Sequence, residues 1–309
     1  MLHNLITDIG EYLIHLNLDD VIQIEDSLKS YRNLKDYRSL FLSKEWILAY
    51  CKIYNPKELI FVKSLHNEMD YFVLEVTNDD VHFLGDPFND YNYVNIPQND
   101  LIEILLLIKS LTKKRIIINC FPITLSIPYS SYRIDCGLHW CSNGNLDVIS
   151  SKVLRMYKRE KSKVVFTRVE PSSEKFEKLL NKLLEERIKI LKVKSIDGND
   201  SSVNDTFSSF IKTLCSDSDI SNNIHIDYGL CGDKIVSIGL NFRHGSNILY
   251  YLRWCYHASN RCSYGLIHDI ENMQINRILG FRIIDFARGN ESYKYRLGLI
   301  EYNLYNYEI

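Results

Sequence analysis

Apolar positions in the first half of the chain recur with strand and helix periods in a definite order. Short β-branched or aromatic runs, separated by Asn and Asp turn residues, predict antiparallel strands at 58–63, 71–76 and 81–84. Apolar residues at helical spacing predict a helix over 101–111, and a compact apolar run predicts a buried strand over 115–119. Three strands, a helix and a strand are typical of half of an α/β domain.

The second half follows a similar order after an additional strand and a long helix. Its short apolar runs predict strands, and Gly232 and Gly245 lie in turns of the hairpin type. The predicted elements are a strand at 164–169, helices at 176–193 and 207–215, strands at 224–231, 235–243 and 248–255, a helix at 265–279 and a strand at 282–286.

Length and composition favour two domains. The chain has 309 residues, of which 46% are hydrophobic, which suits two cores of about 150 residues each. We therefore predict one domain at 1–150 and a second at 151–309. The fold class is α/β (α+β), with a mixed, mostly antiparallel central sheet flanked by helices in each domain.

Charge, cysteine spacing and the length of apolar runs argue against several classes of protein. A formal net charge of −2 argues against a dedicated DNA-binding protein. The eight cysteines lack paired Cys/His spacing, so we expect reduced thiols, no metal and a cytoplasmic location. The longest apolar runs fall well short of the roughly 20 residues that span a membrane.

A dense cationic run lies at 152–163. It contains Lys152, Arg155, Lys158, Arg159, Lys161 and Lys163. A solvated helix face is the plain interpretation, and a contact with a nucleic acid is the alternative.

Two segments of the second half carry a family resemblance. They are R-C-S-Y-G-L at 261–266 and D-F-A-R-G-N-E-S-Y-K-Y-R at 285–296. The second resembles the D-F-x-R-G-D-E-x-Y-K-x-R block of the CelD-like, or cellulose-biosynthesis-type, acetyltransferase branch of the GNAT superfamily. This branch is related to Fem-type transferases with two fused GNAT-like domains. Asn290 and Ser292 depart from the usual Asp and Pro.

The resemblance extends thinly into the first half, through the runs at 41–46 and 83–85 and the pair Asp90-Tyr91. It therefore covers roughly 41–302 and implies tandem GNAT-like domains. It also implies that strand 248–255 splays from its neighbour and binds the acyl-CoA arm, while the following helix N-terminus receives the phosphates. The implied residues for acetyl-CoA or another acyl-CoA are Arg261, Ser263, Tyr264, Gly265 and Arg288. An ordinary helix cap is the alternative for this loop.

Acyl transfer to an amine needs a proton acceptor and a donor for the departing thiolate, but no covalent enzyme nucleophile. Glu291 and Asp285 are the candidate carboxylates for base catalysis or ammonium binding. Tyr293 and Tyr295 are candidate proton donors, and Lys294 is a candidate for holding a carboxylate or phosphate. The alternative is a structural block in which Asp285 or Glu291 pairs with Arg288 or Lys294.

The acceptor site is less defined by the sequence. We expect contributions from Asp90 and Tyr91, which follow a turn-rich segment, and from residues at the end of the predicted splayed strand. The latter residues are Arg253, Trp254, Tyr256 and His257. A plain turn and a partly solvated strand end are the alternatives.

The leading function is therefore an N-acyltransferase that moves an acetyl or other acyl group from acyl-CoA to a small-molecule amine. The resemblance implies an amino sugar or a biosynthetic intermediate as acceptor. The alternatives are Fem-like aminoacyl transfer from charged tRNA and a degenerate GNAT-like binding module. We expect no DNA partner and no membrane span, and a homodimer remains open.

Overall fold

A computed structural model describes residues 6–9, 11–18, 21–127, 131–141, 148–194, 204–256 and 263–309. The chain divides into two compact units. Unit 1 comprises residues 1–135 and 303–309, and unit 2 comprises residues 136–302.

Unit 1 contains a mixed sheet with helices packed against it. Its elements are β1 (Ile6–Ile9), β2 (Tyr12–Leu18), α1 (Lys44–Tyr54), β3 (Leu59–Ser64), β4 (Tyr71–Val76), β5 (Asp80–Phe83), α2 (Gln98–Thr112), β6 (Arg115–Phe121) and the end of β13 (Ile300–Glu308). The strands from β1 to β5 form an antiparallel meander, and α2 then crosses over to β6, which is parallel to β5. Buried side chains such as Phe72, Ile104 and Ile116 fill the core between α2 and the sheet.

Unit 2 repeats this arrangement of a meander followed by a crossover helix. Its elements are β7 (Ser131–Cys141), α3 (Ser151–Glu160), β8 (Val165–Val169), α4 (Glu174–Lys194), α5 (Asp205–Ser216), α6 (Ser218–Ser221), β9 (Ile224–Cys231), β10 (Lys234–His244), β11 (Asn247–Cys255), α7 (Tyr264–Ile278), β12 (Ile283–Arg288), α8 (Ser292–Arg296) and the start of β13. The strand order is β7-β12-β11-β10-β9-β8, and among the described pairs of these six strands only β11/β12 is parallel. The two hairpins turn at Gly232 and Gly245, both with positive φ.

The observed division differs from the predicted domains at 1–150 and 151–309 at both ends of unit 2. The residues of β7 from Gly137 onward pair with β12, so unit 2 begins at residue 136. The end of β13 pairs with β6, and residues 303–309 therefore belong to unit 1. These assignments depend on strand pairing between distant segments, which local periodicity does not encode.

A buried polar network fixes α7 on the sheet of unit 2. Arg168 on β8 binds both carboxylate oxygens of Asp227 on β9, at 2.8 and 2.9 Å, and donates to Oδ1 of Asn276 on α7 at 2.7 Å. Asn272, one helical turn earlier, donates to the same carboxylate at 3.2 Å. Because buried polar groups are costly unless paired, these contacts define the position of α7.

Among the described residues, no helix has both the length and the apolar character needed for a membrane crossing.

Candidate active site

In unit 2, β11 loses its parallel partner halfway along its length. Residues 247–249 pair with residues 283–285 of β12. Beyond this point Tyr250 and residues 252–255 pair with β10, with a register shift at Tyr251, and no described strand continues the pairing of residues 252–255 on their other edge. Backbone groups along this free edge of β11 are therefore available to a ligand.

A β-bulge in β12 lies at the point where this pairing ends. The register between β12 and β7 shifts between Asp285 and Arg288, and Ala287 has a φ of 60°. The Ala287 N–H donates to Oδ1 of Asp285 at 2.8 Å, and the Tyr302 hydroxyl lies 3.0 and 3.1 Å from the two carboxylate oxygens. A bulge bends its strand, which accounts for the divergence of β12 from β11. Asp285, which is fully buried, thus holds the bulge.

Lys294 supports the loop that follows the bulge. Its buried ammonium group donates to the carbonyl oxygens of Ala287, Arg288 and Gly289 at 3.2, 2.8 and 3.2 Å. It also forms an ion pair with Glu291 at 3.1 Å, while the Glu291 side chain is 57% exposed. This pair corresponds to the structural alternative derived from the sequence. Binding of a substrate anion by Lys294 stays a prediction.

The N-terminus of α7 lies against the end of β11. Ser263 is the N-cap, and its Oγ accepts from the Leu266 N–H at 3.5 Å. A Cβ atom placed on Gly265 would lie 2.9 Å from Sγ of Cys255, so glycine permits this approach without displacement of the Cys255 side chain. The ring of Tyr264 lies 6.5 Å from that of Tyr256. The unpaired N–H groups and the helix dipole make such a terminus suitable for a phosphate.

A charged cluster borders the free edge of β11. Nη1 of Arg253 forms an ion pair with the fully buried carboxylate of Asp269 on α7. The Arg253 guanidinium also lies 4.3 Å from the ring centroid of Tyr293. Burial raises the pKa of the Tyr293 hydroxyl above its usual range, with a smaller opposing effect from Arg253. The Tyr293 hydroxyl therefore remains protonated and can act as a proton donor.

Arg187 on α4 adds a second guanidinium to this cluster. Its Nε atom is buried without a hydrogen-bond partner, and Arg187 forms no ion pair with another described residue. Burial lowers the pKa of Arg187, and the charge of Arg253 lowers it further, while Tyr293 opposes both effects. Arg187 is thus a half-buried cation that forms no ion pair within the described part of the chain.

The remaining predicted residues of unit 2 have varied surroundings. Tyr295 is exposed and donates a hydrogen bond to Glu301, and the Arg288 side chain is also exposed. Trp254 is buried, with Nζ of Lys182 5.2 Å from its ring centroid. Tyr256 is 42% exposed and carries Lys234 3.4 Å above its ring. The predicted residues Arg261 and His257 lie outside the described residues.

Asp90 and Tyr91 both lie in unit 1, where they are buried, and Tyr91 packs 6.1 Å from Phe41. The part of unit 1 that corresponds to the β11/β12 divergence is closed by the chain itself. Pairing of β5 with β6 covers residues 80–82 and 115–117. Beyond it, the Asn92 backbone N–H donates to the Cys120 carbonyl, and the Asn92 side chain donates to the Asn119 carbonyl at 2.7 Å.

Asp86 completes this closure. Its carboxylate accepts hydrogen bonds from the side-chain amides of Asn92 and Asn119, and Asn89 donates to Oδ1 of Asn92 at 2.9 Å. The strand edge of β6 is therefore already occupied, and unit 2 is the better candidate for the active site.

Two site residues, Arg187 and Asp269, were not predicted from the sequence. Both belong to helices that periodicity does predict, but each is a charged residue that faces the protein interior. Asp269 follows His268 and precedes Ile270 in a helix with buried residues on most of its faces, which is the available signal. Within the described residues, no group of three or more His, Cys, Asp or Glu side chains is arranged for a metal ion.

The observed fold class is α/β with a mixed, mostly antiparallel sheet flanked by helices, as the sequence predicted. Residues 152–295 match the family described as "Acetyltransferase (GNAT) domain", a segment that contains most of unit 2. No curated protein matches the chain.

Solved structures resemble the chain over most of its length. A conserved protein of unknown function from Bacteroides thetaiotaomicron is 11% identical, with a TM-score of 0.60, and the match covers 94% of this chain and 98% of that one. FemX is 10% identical, with a TM-score of 0.58 and coverage of 93% and 95%. The C-terminal domain of a candidate lysylphosphatidylglycerol synthetase from Agrobacterium fabrum is 8% identical, with a TM-score of 0.54 and coverage of 77% and 80%. At these identities the similarity concerns the fold.

Proposed function

We propose that this protein is an N-acyltransferase that uses acyl-CoA as donor and a small-molecule amine as acceptor. The observation that carries the proposal is the free edge of β11 beside the N-terminus of α7. A strand edge can pair with the amide groups of a pantetheine arm, as it would pair with another strand. Gly265 brings the helix terminus to the end of that edge, where it can bind the pyrophosphate.

The residues beside this edge support the chemistry. The acceptor nitrogen attacks the thioester carbonyl carbon, the C–S bond breaks, and the thiolate takes a proton from the Tyr293 hydroxyl. The proton lost by the amine passes to Glu291, directly or through water, since this carboxylate is 57% exposed. Backbone N–H groups on the free edge of β11 stabilise the developing oxyanion.

Aminoacyl transfer from charged tRNA is the second candidate. It is favoured by the exposed cations of α3 and the adjoining residues, at Lys152, Arg155, Lys158, Arg159, Lys161 and Lys163. Arg159 and Lys163 are partly neutralised by Glu160, at 2.6 and 2.7 Å. The overall fold similarity to FemX is compatible with this candidate. A basic surface binds nucleic-acid phosphates in a salt-dependent manner.

Calorimetric titration with acetyl-CoA, longer acyl-CoAs and aminoacyl-tRNA distinguishes the two candidates, together with thermal shifts that report any ligand of the native state. Saturable acyl-CoA binding that is unaffected by Lys152→Glu/Lys158→Glu supports the proposal. Binding of tRNA alone, lost in the same double variant and at higher salt, would replace it with the second candidate.

A further inference from the structure

Three side chains from different elements of unit 2 form a chain of contacts beside the free edge of β11. Nη1 of Arg253 on β11 forms an ion pair with the carboxylate of Asp269 on α7. The same guanidinium lies 4.3 Å from the ring centroid of Tyr293 on α8. Arg253 itself lies beyond the part of β11 that pairs with β12. Its guanidinium therefore connects α7 with the ring of the proposed proton donor.

Asp269 holds this guanidinium in one place. The Asp269 carboxylate is fully buried, whereas the Arg253 side chain is 23% exposed. Asp269 lies one helical turn after Gly265, and Nη1 of Arg253 is 3.8 Å from the position that a Cβ atom would take on Gly265. The guanidinium thus lies close to the first turns of α7. Because a buried carboxylate is costly unless it is paired, the ion pair restricts the rotation of the Arg253 side chain.

A guanidinium at the face of a phenol ring favours the loss of the hydroxyl proton. The face of the ring is negative, and its attraction to a cation grows as the phenolate charge develops. Burial raises the pKa of the Tyr293 hydroxyl, and the charge of Arg253 opposes that rise. Arg253 therefore makes Tyr293 a stronger acid than a buried tyrosine without a neighbouring cation.

We propose that Asp269 and Arg253 are positioning residues, in which Asp269 orients the guanidinium against the Tyr293 ring and this contact promotes proton donation to the departing thiolate. This inference rests on the proposed acyltransferase function for the identity of the reaction. In the step concerned, the O–H bond of Tyr293 breaks and an S–H bond forms on CoA. The phenolate then regains a proton through water from Glu291, which received one from the acceptor amine.

The contact itself can be measured without turnover. 3-Fluorotyrosine incorporated only at position 293 gives one fluorine NMR signal, which reports the surroundings of that ring. Arg253→Met should move the signal because the cation is removed, and Asp269→Asn should move it because the guanidinium is released. Arg277→Met is the matched control, since Arg277 is exposed near the end of α7, and should leave the signal unchanged. A signal that is the same in Arg253→Met and in the parent protein would overturn the proposal.

Steady-state kinetics of thiol release then separates positioning from a structural role. Asp269→Asn should lower kcat by about tenfold and change KM for acetyl-CoA by less than about twofold, since the affected contact acts on proton transfer. Arg253→Lys keeps the charge and should retain more activity than Arg253→Met. In a Tyr293→Phe background, Asp269→Asn should have little further effect on kcat, because the two residues act in one step. Additive losses would contradict action through Tyr293.

Folding is controlled by a variant that removes both charges. Arg253→Met alone leaves the Asp269 carboxylate buried and unpaired, which destabilises the protein, whereas replacement of a whole buried ion pair by apolar residues is tolerated. The double variant Arg253→Met/Asp269→Leu should therefore melt close to the parent protein and still show the tenfold loss of kcat, about that of Asp269→Asn. A folded double variant with the kcat of the parent protein would overturn the proposal.

The two experiments distinguish failure of this inference from failure of the proposed function. If the parent protein releases thiol from acetyl-CoA and Tyr293→Phe is impaired, while Asp269→Asn and the double variant turn over like the parent protein, the positioning role is wrong and the proposed function stands. If the fluorine signal responds as expected but the parent protein releases no thiol from any acyl-CoA, the proposed function fails and the catalytic meaning of the contact fails with it.

Discussion

The ammonium group of Lys294 donates a hydrogen bond to the carbonyl oxygen of Ala287, the residue whose positive φ marks the bulge in β12. On the other side of the same residue, the Ala287 N–H is bound by Asp285. Both backbone polar groups of Ala287 are thus held by charged side chains of the motif at 285–296. A φ of 60° is unfavourable for alanine, so the bulge depends on these two contacts.

Replacement of Lys294 by Met should destabilise the protein by about 2 kcal/mol or more, because buried carbonyl groups lose their donor. Urea denaturation measures this loss. Lys189→Met is the control, since Lys189 is exposed and pairs with Glu186 at 2.9 Å on the protein surface. It should change the free energy of unfolding by less than about 0.5 kcal/mol. Similar small effects for both variants would contradict the structural role of Lys294.

Replacement of Gly265 by Ala should weaken acetyl-CoA binding and destabilise the protein by about 1–2 kcal/mol, because the new methyl group overlaps Sγ of Cys255. The double variant Gly265→Ala/Cys255→Ala removes the overlap. It should recover at least part of the stability, since alanine is the better helix former. Calorimetric titration and urea denaturation of the two variants test this, and an equally impaired double variant would argue against the contact.

Replacement of Tyr293 by Phe should reduce turnover by about 100-fold or more, if its hydroxyl protonates the departing thiolate. The aromatic ring that contacts Arg253 is retained, so folding and acetyl-CoA affinity should change little. Tyr295→Phe serves as control because Tyr295 is exposed and its hydroxyl binds Glu301. Stopped-time assays of thiol release compare the two. Equal activity of both variants would exclude Tyr293 as the proton donor.

Acid should destabilise the protein through His268. This ring is fully buried, lies 2.8 Å from the Ser237 hydroxyl and stacks on Tyr250, and burial lowers its pKa to about 4. The pKa of His268 is lower in the folded state than in the unfolded state, so protonation favours the unfolded chain. The free energy of unfolding is therefore unaffected by this group above about pH 6.5 and falls by about 3 kcal/mol as the pH is lowered to 4.

Urea denaturation between pH 7 and pH 4 measures that dependence. His268→Gln should make it shallower. The exposed His66, replaced by Gln, should leave it unchanged. His225, which is also buried with a lowered pKa, contributes part of the remaining slope. The His268 assignment would fail if both variants showed the slope of the parent protein.

Local sequence signals account for much of unit 2. The helix predicted over 265–279 is observed at Tyr264–Ile278, since Ser263 supplies its cap, and the two predicted hairpins form at Gly232 and Gly245. The strand β7 and the N-terminal strands β1 and β2 were not predicted. Their definition depends on pairing partners that are distant in sequence rather than on their own periodicity.

The candidate site was predicted only in part. The motif identified the segment at 285–296, but sequence alone did not distinguish a catalytic Lys294 from one that binds its own loop. That distinction depends on the bulge, which turns three carbonyl groups toward one ammonium group. Arg187 was missed because one inward-facing arginine in a helix rich in charges differs in no local feature from its exposed neighbours.

The amide network of Asp86, Asn89, Asn92 and Asn119 makes the two units differ at the point where the pairing of their parallel strands ends. Both units have a strand, a crossover helix and a parallel strand. In unit 1, the Asn92 side chain binds the Asn119 carbonyl on β6, the strand that corresponds to β12, and Asp86 accepts from the side-chain amides of both residues. Substitutions that remove these amide contacts without unfolding unit 1 would expose backbone groups of β6, which makes this unit a starting point for the engineering of a second ligand site.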